Sequence, residues 1–296
     1  MQVAKEKKRS FLRTEGPIIL DNRACAYCGY EFDGDVPVTR DHLVARRFVP
    51  KGTMANQWNL LINACPRCNV EKSDLEGEIS AASMLPWPGV VSSDAARREW
   101  LRKAKGQMSS DTGRPIVDSA IRRDIDVELG PSTTATFNIV GPPQVDGARI
   151  ERLAGFHLTG LFYLLTWSEE KRVGRRWIGS FGLCCWSRRT DWGNVSFQGF
   201  TSLSRTWDVR AVLRSGAEHF KMMLRKHPDQ LVWAWALEWN QNFRCVGFLG
   251  DDQHVLASMD QVPVPQAREI KRDGDWVLTV REEVPLSEGD DLLFLT

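Results

Sequence analysis

One long stretch of this chain without a charged residue runs from Leu153 to Ser168, between Arg152 and Glu169. Its apolar positions, within Ile150–Trp167, predict a buried helix. The run is too short for the roughly 18–20 residues that a bilayer span needs. Beyond it the pattern mixes periods. Trp177–Trp186, Asn194–Phe200, Leu231–Trp239, Phe243–Leu249, Trp276–Val280 and Leu292–Leu295 read as strands. Between them, Val209, Val212, Leu213, Ala217, Phe220 and Leu224 fall at helical spacing, which predicts a helix over Trp207–Arg225. This half is expected to be an α+β domain with a mainly antiparallel sheet. Period-2 spacing puts Trp233, Trp235 and Trp239 on one strand face.

Upstream, two stretches rich in Pro, Gly and Ser read as connectors, Ala81–Ser93 and Gly130–Gly147. Asp94–Lys105 between them reads as a helix, with Asp94 as a plausible N-cap. The expected organisation is therefore residues 1–80 as one module, 81–147 as linker and basic helical segment, and 148–296 as an accessory domain. The whole is of the α+β class.

Charge changes this picture only locally. The 296 residues carry a formal net charge of +1. Basic residues outnumber acidic ones in Met1–Asp74, twelve to nine, and in Arg97–Arg123, eight to three; after Gly141 the balance is nineteen to twenty. A polyanion is thus expected against the first half. The seven cysteines are an odd number and no apolar leader follows the charged N-terminus, so the protein is expected in the cytoplasm, with no membrane association.

Four cysteines form two C-x2-C knuckles, Cys25/Cys28 and Cys65/Cys68. Four thiolates so arranged make a closed sulfur cage suited to a structural Zn2+. The spacer between the knuckles is long and holds Val38-Thr39-Arg40-Asp41-His42-Leu43 and Gln57-Trp58-Asn59-Leu60-Leu61. The second knuckle continues as Asn69-Val70-Glu71-Lys72. Hydrolysing a phosphodiester needs an activated water and neutralised charge on the phosphate. His42 can accept a proton near neutral pH. Asp41 offers a hard anionic oxygen to a divalent cation, and Asn69 a hard neutral one. Pro66 suits the first turn of a helix that would place Asn69 and Lys72 on one face. For Asp41 and His42 to serve one site, their strand must bend or end there.

These motifs closely resemble the HNH nuclease family, over roughly Cys25 to Asp74. The resemblance implies a ββα-metal fold within residues of about 20–80. It implies His42 as general base, Asn59 as the residue bracing the loop, and Asp41 with Asn69 as ligands of a catalytic ion. With Asn at position 69 the ligands are oxygens alone, which favours Mg2+ or Mn2+ there. Lys72 is expected on a phosphate, with Arg40, Arg46, Arg47 and Arg67 holding the nucleic-acid backbone. The expected activity is endonucleolytic cleavage of DNA, double-stranded as the favoured substrate. Bacterial restriction or phage defence is the family habit. RNA as substrate, or non-catalytic nucleic-acid binding on the zinc scaffold, are the other readings.

The second half carries no comparable motif. His157 reads as a hydrogen-bonded core histidine, and Cys184, Cys185 and Cys245 as buried strand residues. Lys171-Arg172, Arg175-Arg176 and Arg188-Arg189 read as charged turn tips. A protein partner or a second copy is expected to engage this half.

Overall fold

The structure is a computed structural model that describes residues 16–32, 34, 37–85, 94–119, 121–130, 133–141, 145–273 and 276–295. The charged N-terminal run, Pro86, Pro88, Gly89 and Pro142-Pro143 lie outside the described residues.

The chain begins with a small sheet of β1 (Pro17–Ile19), β2 (Thr39–His42) and β3 (Asn59–Ala64), in the order β1-β3-β2. β2 pairs antiparallel with β3, and β1 pairs parallel with it. Helix α1 (Pro66–Ser83) follows directly, with Pro66 in its first turn, where a missing N–H costs nothing. Its second half, from Leu75 to Ser83, is buried on every side. Strand, strand and helix thus form a ββα unit closed at one end by the cysteine knuckles.

The middle of the chain holds α2 (Asp94–Gly106) and a hairpin of β4 (Ile121–Gly130) and β5 (Thr133–Gly141). The connector expected at Gly130–Gly147 therefore contains a strand. Thr133–Gly141 alternates β-branched and aromatic residues that suit a pleated strand, and only its flanks carry Pro and Gly. Helix α3 (Gly147–Leu165) starts at Asp146, whose side chain accepts a 3.0 Å hydrogen bond from the Ala148 N–H.

A five-stranded antiparallel sheet follows, in the order β6-β10-β9-β8-β7. Its strands are β6 (Ser180–Arg188), β7 (Asp208–Ser215), β8 (Phe220–Lys226), β9 (Val232–Trp239) and β10 (Phe243–Gly250). Helix α4 (Val195–Ser204) lies between β6 and β7. Helix α5 (Asp252–Met259) and the hairpin β11 (Arg268–Asp273)–β12 (Trp276–Val280) complete the chain. β9 shows how the sheet is covered. Trp235, Leu237 and Trp239 face one core, shared with α3 and with Leu43, Leu60 and Ile62 of the first sheet. Val232, Ala234 and Ala236 face a second core closed by α4 and α5. The ββα unit is thus packed, through α3, onto one face of the large sheet.

Three elements differ from expectation. Trp207–Arg225 is the β7–β8 hairpin, not a helix. Gly216, Ala217 and Glu218 all adopt left-handed backbone, with φ of 58°, 53° and 66°, which no right-handed helix can pass through. β8 is buried on both faces, so its apolar run mimics a helical period. Asn194–Phe200 is helical. The Asn194 side chain caps it, accepting from Ser196 N–H at 3.0 Å and Phe197 N–H at 3.2 Å. Leu292–Leu295 is a turn, not a strand; Leu293 and Phe294 are apolar because they plug the second core.

Candidate active site and zinc centre

The knuckles bring the Sγ atoms of Cys25, Cys28, Cys65 and Cys68 within 4.8 Å of one another. The Cys28–Cys65 separation is 3.7 Å. A zinc–thiolate tetrahedron with bonds of about 2.3 Å has edges of roughly 3.8 Å, so the cage fits Zn2+. The first knuckle turns because the Cys25 carbonyl accepts from the Gly29 N–H at 2.8 Å, with Gly29 at φ 77°. The second is the start of α1, where Asn69 N–H donates to the Cys65 carbonyl at 3.0 Å. Among the described residues this is the only group of three or more His, Cys, Asp or Glu side chains gathered as a metal site would be.

One residue beyond Asp41, β2 ends, at His42. The two side chains enter different surroundings. Asp41 is buried. It accepts hydrogen bonds from the Tyr27 hydroxyl and, at 3.3 Å, from Lys72 Nζ, whose closest approach to Asp41 Oδ2 is 3.1 Å. Lys72 also bonds Glu76, one turn on along α1, and donates to the His42 carbonyl at 2.8 Å. Burial opposes the charge on Lys72, but Glu76 and Asp41 outweigh it and hold its pKa above the ordinary lysine value. Burial and the Asp41 carboxylate push the Tyr27 phenol well up, so it stays a donor.

His42 is half-buried, and its imidazole makes no hydrogen bond to another of the described residues. Burial, then the positive charge of Arg46, lowers its pKa below the ordinary histidine value, against the pull of Asp41. It is therefore neutral and able to accept a proton at neutral pH. Asn59 lies at the start of β3 and clasps the loop after β2. Its Oδ1 accepts from Val44 N–H and its Nδ2 donates to the Val44 carbonyl, both at 2.9 Å. This pins the backbone two residues beyond His42. Asn69 is half-buried on the first turn of α1, and among the described residues its carboxamide has no hydrogen-bond partner. Asp41 and Asn69 each carry a hard oxygen, the donor type that Mg2+ accepts. A carboxylate has about four lone-pair sites, so its bonds to Tyr27 and Lys72 leave acceptor capacity.

The basic residues divide. Arg40, Arg46, Arg47 and Arg67 are all exposed. Arg40 donates to the Leu20 carbonyl at 3.3 Å and Arg47 to the Ser73 carbonyl at 3.0 Å, whereas among the described residues Arg46 and Arg67 have no hydrogen-bond partner. Lys72, expected at a phosphate, is instead fully buried and saturated by Asp41, Glu76 and the His42 carbonyl. Tyr27 and Glu76 were not singled out by sequence. Glu76 stands four residues after Lys72, the spacing of a helical ion pair. Tyr27 carries no such local signal.

The second half supports this unit from behind. Arg149 reaches Glu78 at 2.5 Å and Asp74 at 2.7 Å, and Arg152 reaches Glu71 at 2.6 Å, all from α3 to α1. Arg176 donates to the Cys28 carbonyl at 2.5 Å, and Arg172 pairs with Asp21. These two arginines, read as solvated turn tips, thus hold the ββα unit. His157 is fully buried among Phe48, Phe220 and Trp239. Neither of its nitrogens makes a well-formed hydrogen bond, contrary to expectation; the Leu43 backbone only weakly favours its proton. Cys184, Cys185 and Cys245 lie on β6 and β10 as free thiols. No described helix is long and apolar enough to cross a membrane.

The site is thus a ββα unit with four clustered cysteines, a histidine at the strand end and an asparagine on the helix. Residues 25–75 match the family model of the HNH endonuclease, and this part of the chain is an HNH domain. No curated protein and no solved structure matches the chain.

Proposed function

We propose that the protein is a metal-dependent endonuclease that hydrolyses phosphodiester bonds in DNA. The observation that carries this reading is His42. It is a neutral, half-buried imidazole at the end of β2, beside the exposed Arg46 and backed by the buried Asp41–Lys72 pair. His42 takes the proton of the attacking water. Asp41 and Asn69 are the residues that would hold Mg2+ or Mn2+, which when bound supplies charge neutralisation at the scissile phosphate. Arg46 and Arg67 contact the phosphates on either side. Lys72 fixes the end of β2 through the His42 carbonyl, and Asn59 fixes the loop that follows. The zinc cage holds both knuckles in place. Residues 1–80 carry the chemistry, and residues 148–296 serve substrate choice or assembly with a partner. Double-stranded DNA, a cytoplasmic setting and a role in restriction or phage defence fit the same reading.

Purified zinc-loaded protein should nick or linearise supercoiled plasmid with Mg2+ or Mn2+. His42→Ala, shown folded by circular dichroism, should lose roughly 100-fold or more of the rate. Equal cutting by both proteins would remove His42 from the mechanism. Salt-sensitive binding without cleavage under any divalent ion would make this a binding module, and cleavage of structured RNA alone would change the substrate.

A further inference from the structure

Away from the zinc cage, a cavity of about 320 Å³ opens between α3 and one face of the large sheet, near the ends of β6, β10, β9 and β8. Its walls include Phe162, Trp177, Phe181 and Trp233, each half-buried and so partly uncovered. Leu158, Leu224 and Leu249 close its floor. Glu151 and Arg152 stand on α3 at the polar side. The volume lies at the small end of the roughly 300–1,000 Å³ typical of small-molecule sites. Partly uncovered aromatic rings beside one guanidinium and one carboxylate suit a planar, hydrogen-bonding, anionic ligand. The rings stack on the plane, the carboxylate accepts from its N–H edge, and the arginine takes the anion.

We propose that this cavity receives the base of a nucleotide, with its phosphate on Arg152. The base can come from a free nucleotide or from an unstacked strand. Arg152 also links the cavity to the nuclease unit, and the coupling described next rests on the nuclease reading above. Arg152 is bidentate to Glu71 at 2.6 and 3.1 Å, two residues after Asn69 on α1. It also lies 4.7 Å from the centre of the Phe156 ring. Phe156 meets Tyr27 edge-on at 4.9 Å, and Tyr27 donates to Asp41. A phosphate that draws Arg152 away from Glu71 therefore acts on both sides of the site, through α1 and through Tyr27.

Gly155 supplies the test. It lines the cavity, and a Cβ added there meets nothing within 4 Å. Gly155→Leu should fill the cavity while favouring the helix, so the variant should fold. Isothermal titration calorimetry on the full, zinc-loaded chain would use AMP, GMP, CMP and UMP, the matching nucleosides, and a single-stranded DNA octamer. Nucleotide binding that Gly155→Leu abolishes, with nucleosides about tenfold weaker, is the expected result and identifies a free nucleotide. Octamer binding weakened by Gly155→Leu, with no mononucleotide binding, identifies a strand as the source. No heat from any probe, or equal binding by Gly155→Leu, overturns the site; equal nucleoside and nucleotide affinity overturns the role of Arg152. If the wild type binds nucleotide but cuts nothing, the nuclease reading fails while the cavity assignment stands. If it cuts, bound nucleotide should change the rate in the wild type and not in Gly155→Leu.

Discussion

The Lys72 ammonium lies 3.1 Å from the Asp41 carboxylate with its side chain at 0% exposure, so the lysine of the second knuckle is a buried counter-charge. Removing it leaves Asp41 and Glu76 facing each other without a cation. Lys72→Met should therefore destabilise the fold by about 3–5 kcal/mol, read by urea denaturation. It should do so with or without nucleic acid, and a stability within about 1 kcal/mol of wild type would contradict the buried pairing.

Tyr27→Phe removes only the hydroxyl on Asp41 and keeps the ring against Phe156. Stability should fall by about 1 kcal/mol. The concentration of Mg2+ needed for half-maximal cleavage should change more than the rate at saturating metal. A pure loss of maximal rate would separate Tyr27 from the carboxylate it holds.

The zinc cage predicts one Zn2+ per chain by elemental analysis. Cys65→Ala should abolish that content and with it the thermal transition of the ββα unit, because the second knuckle is also the first turn of α1. A metal-free Cys65→Ala protein with unchanged melting would show that the knuckles need no ion.

His157 makes stability depend on pH. Burial, then the charge of Lys72, drives its pKa well below the ordinary 6.5. The unfolded chain binds this proton near pH 6.5 while the folded chain refuses it, so stability falls as pH drops below that value. The contribution is complete above pH 6.5 and declines by up to about 1.4 kcal/mol per pH unit below it. Chemical denaturation of the wild type and His157→Phe between pH 7.5 and about 5 should give a shallower slope for the variant. Parallel slopes would mean that the imidazole charges inside the fold.

Two ion pairs between α3 and α1 should differ in weight. Glu78 has 2% side-chain exposure and bonds Arg149, whereas Arg152 and Glu71 are 58% and 35% exposed. Arg149→Ala should cost about 1–3 kcal/mol by leaving the buried Glu78 carboxylate without its counter-charge, held only by Ser110. Arg152→Ala should cost under about 1 kcal/mol. The reverse order in thermal melts would misplace the contact that joins the two helices.

How far the sequence reveals this molecule depends on how local each signal is. The knuckles, Asp41-His42, Asn59 and the start of α1 at Pro66 are set by short spacings, and the HNH resemblance follows from them. Tyr27 meets Asp41 only after the chain folds back, so no spacing announces it. Beyond Ile150, β8 and β9 are buried on both faces and lose the alternation that marks an ordinary strand. The β7–β8 hairpin was obscured for this reason. Asn194–Phe200 was read as a strand from its apolar run, and the Asn194 cap that starts the helix emerged only in the structure.

The stacking of Phe48 on Trp239, at 5.6 Å between ring centres, bears on portability. Phe48 belongs to the segment after β2, while Trp239 ends β9 nearly two hundred residues later. Gly160 likewise sits so close to Leu43 that an added Cβ would come within 2.5 Å of it. An excised cassette ending at Leu85 would carry Phe48, Leu43 and Ile62 into water as a bare apolar face. Grafting this HNH unit onto another scaffold therefore requires a transplanted α3 and sheet, or a redesigned underside, and not the HNH motif alone.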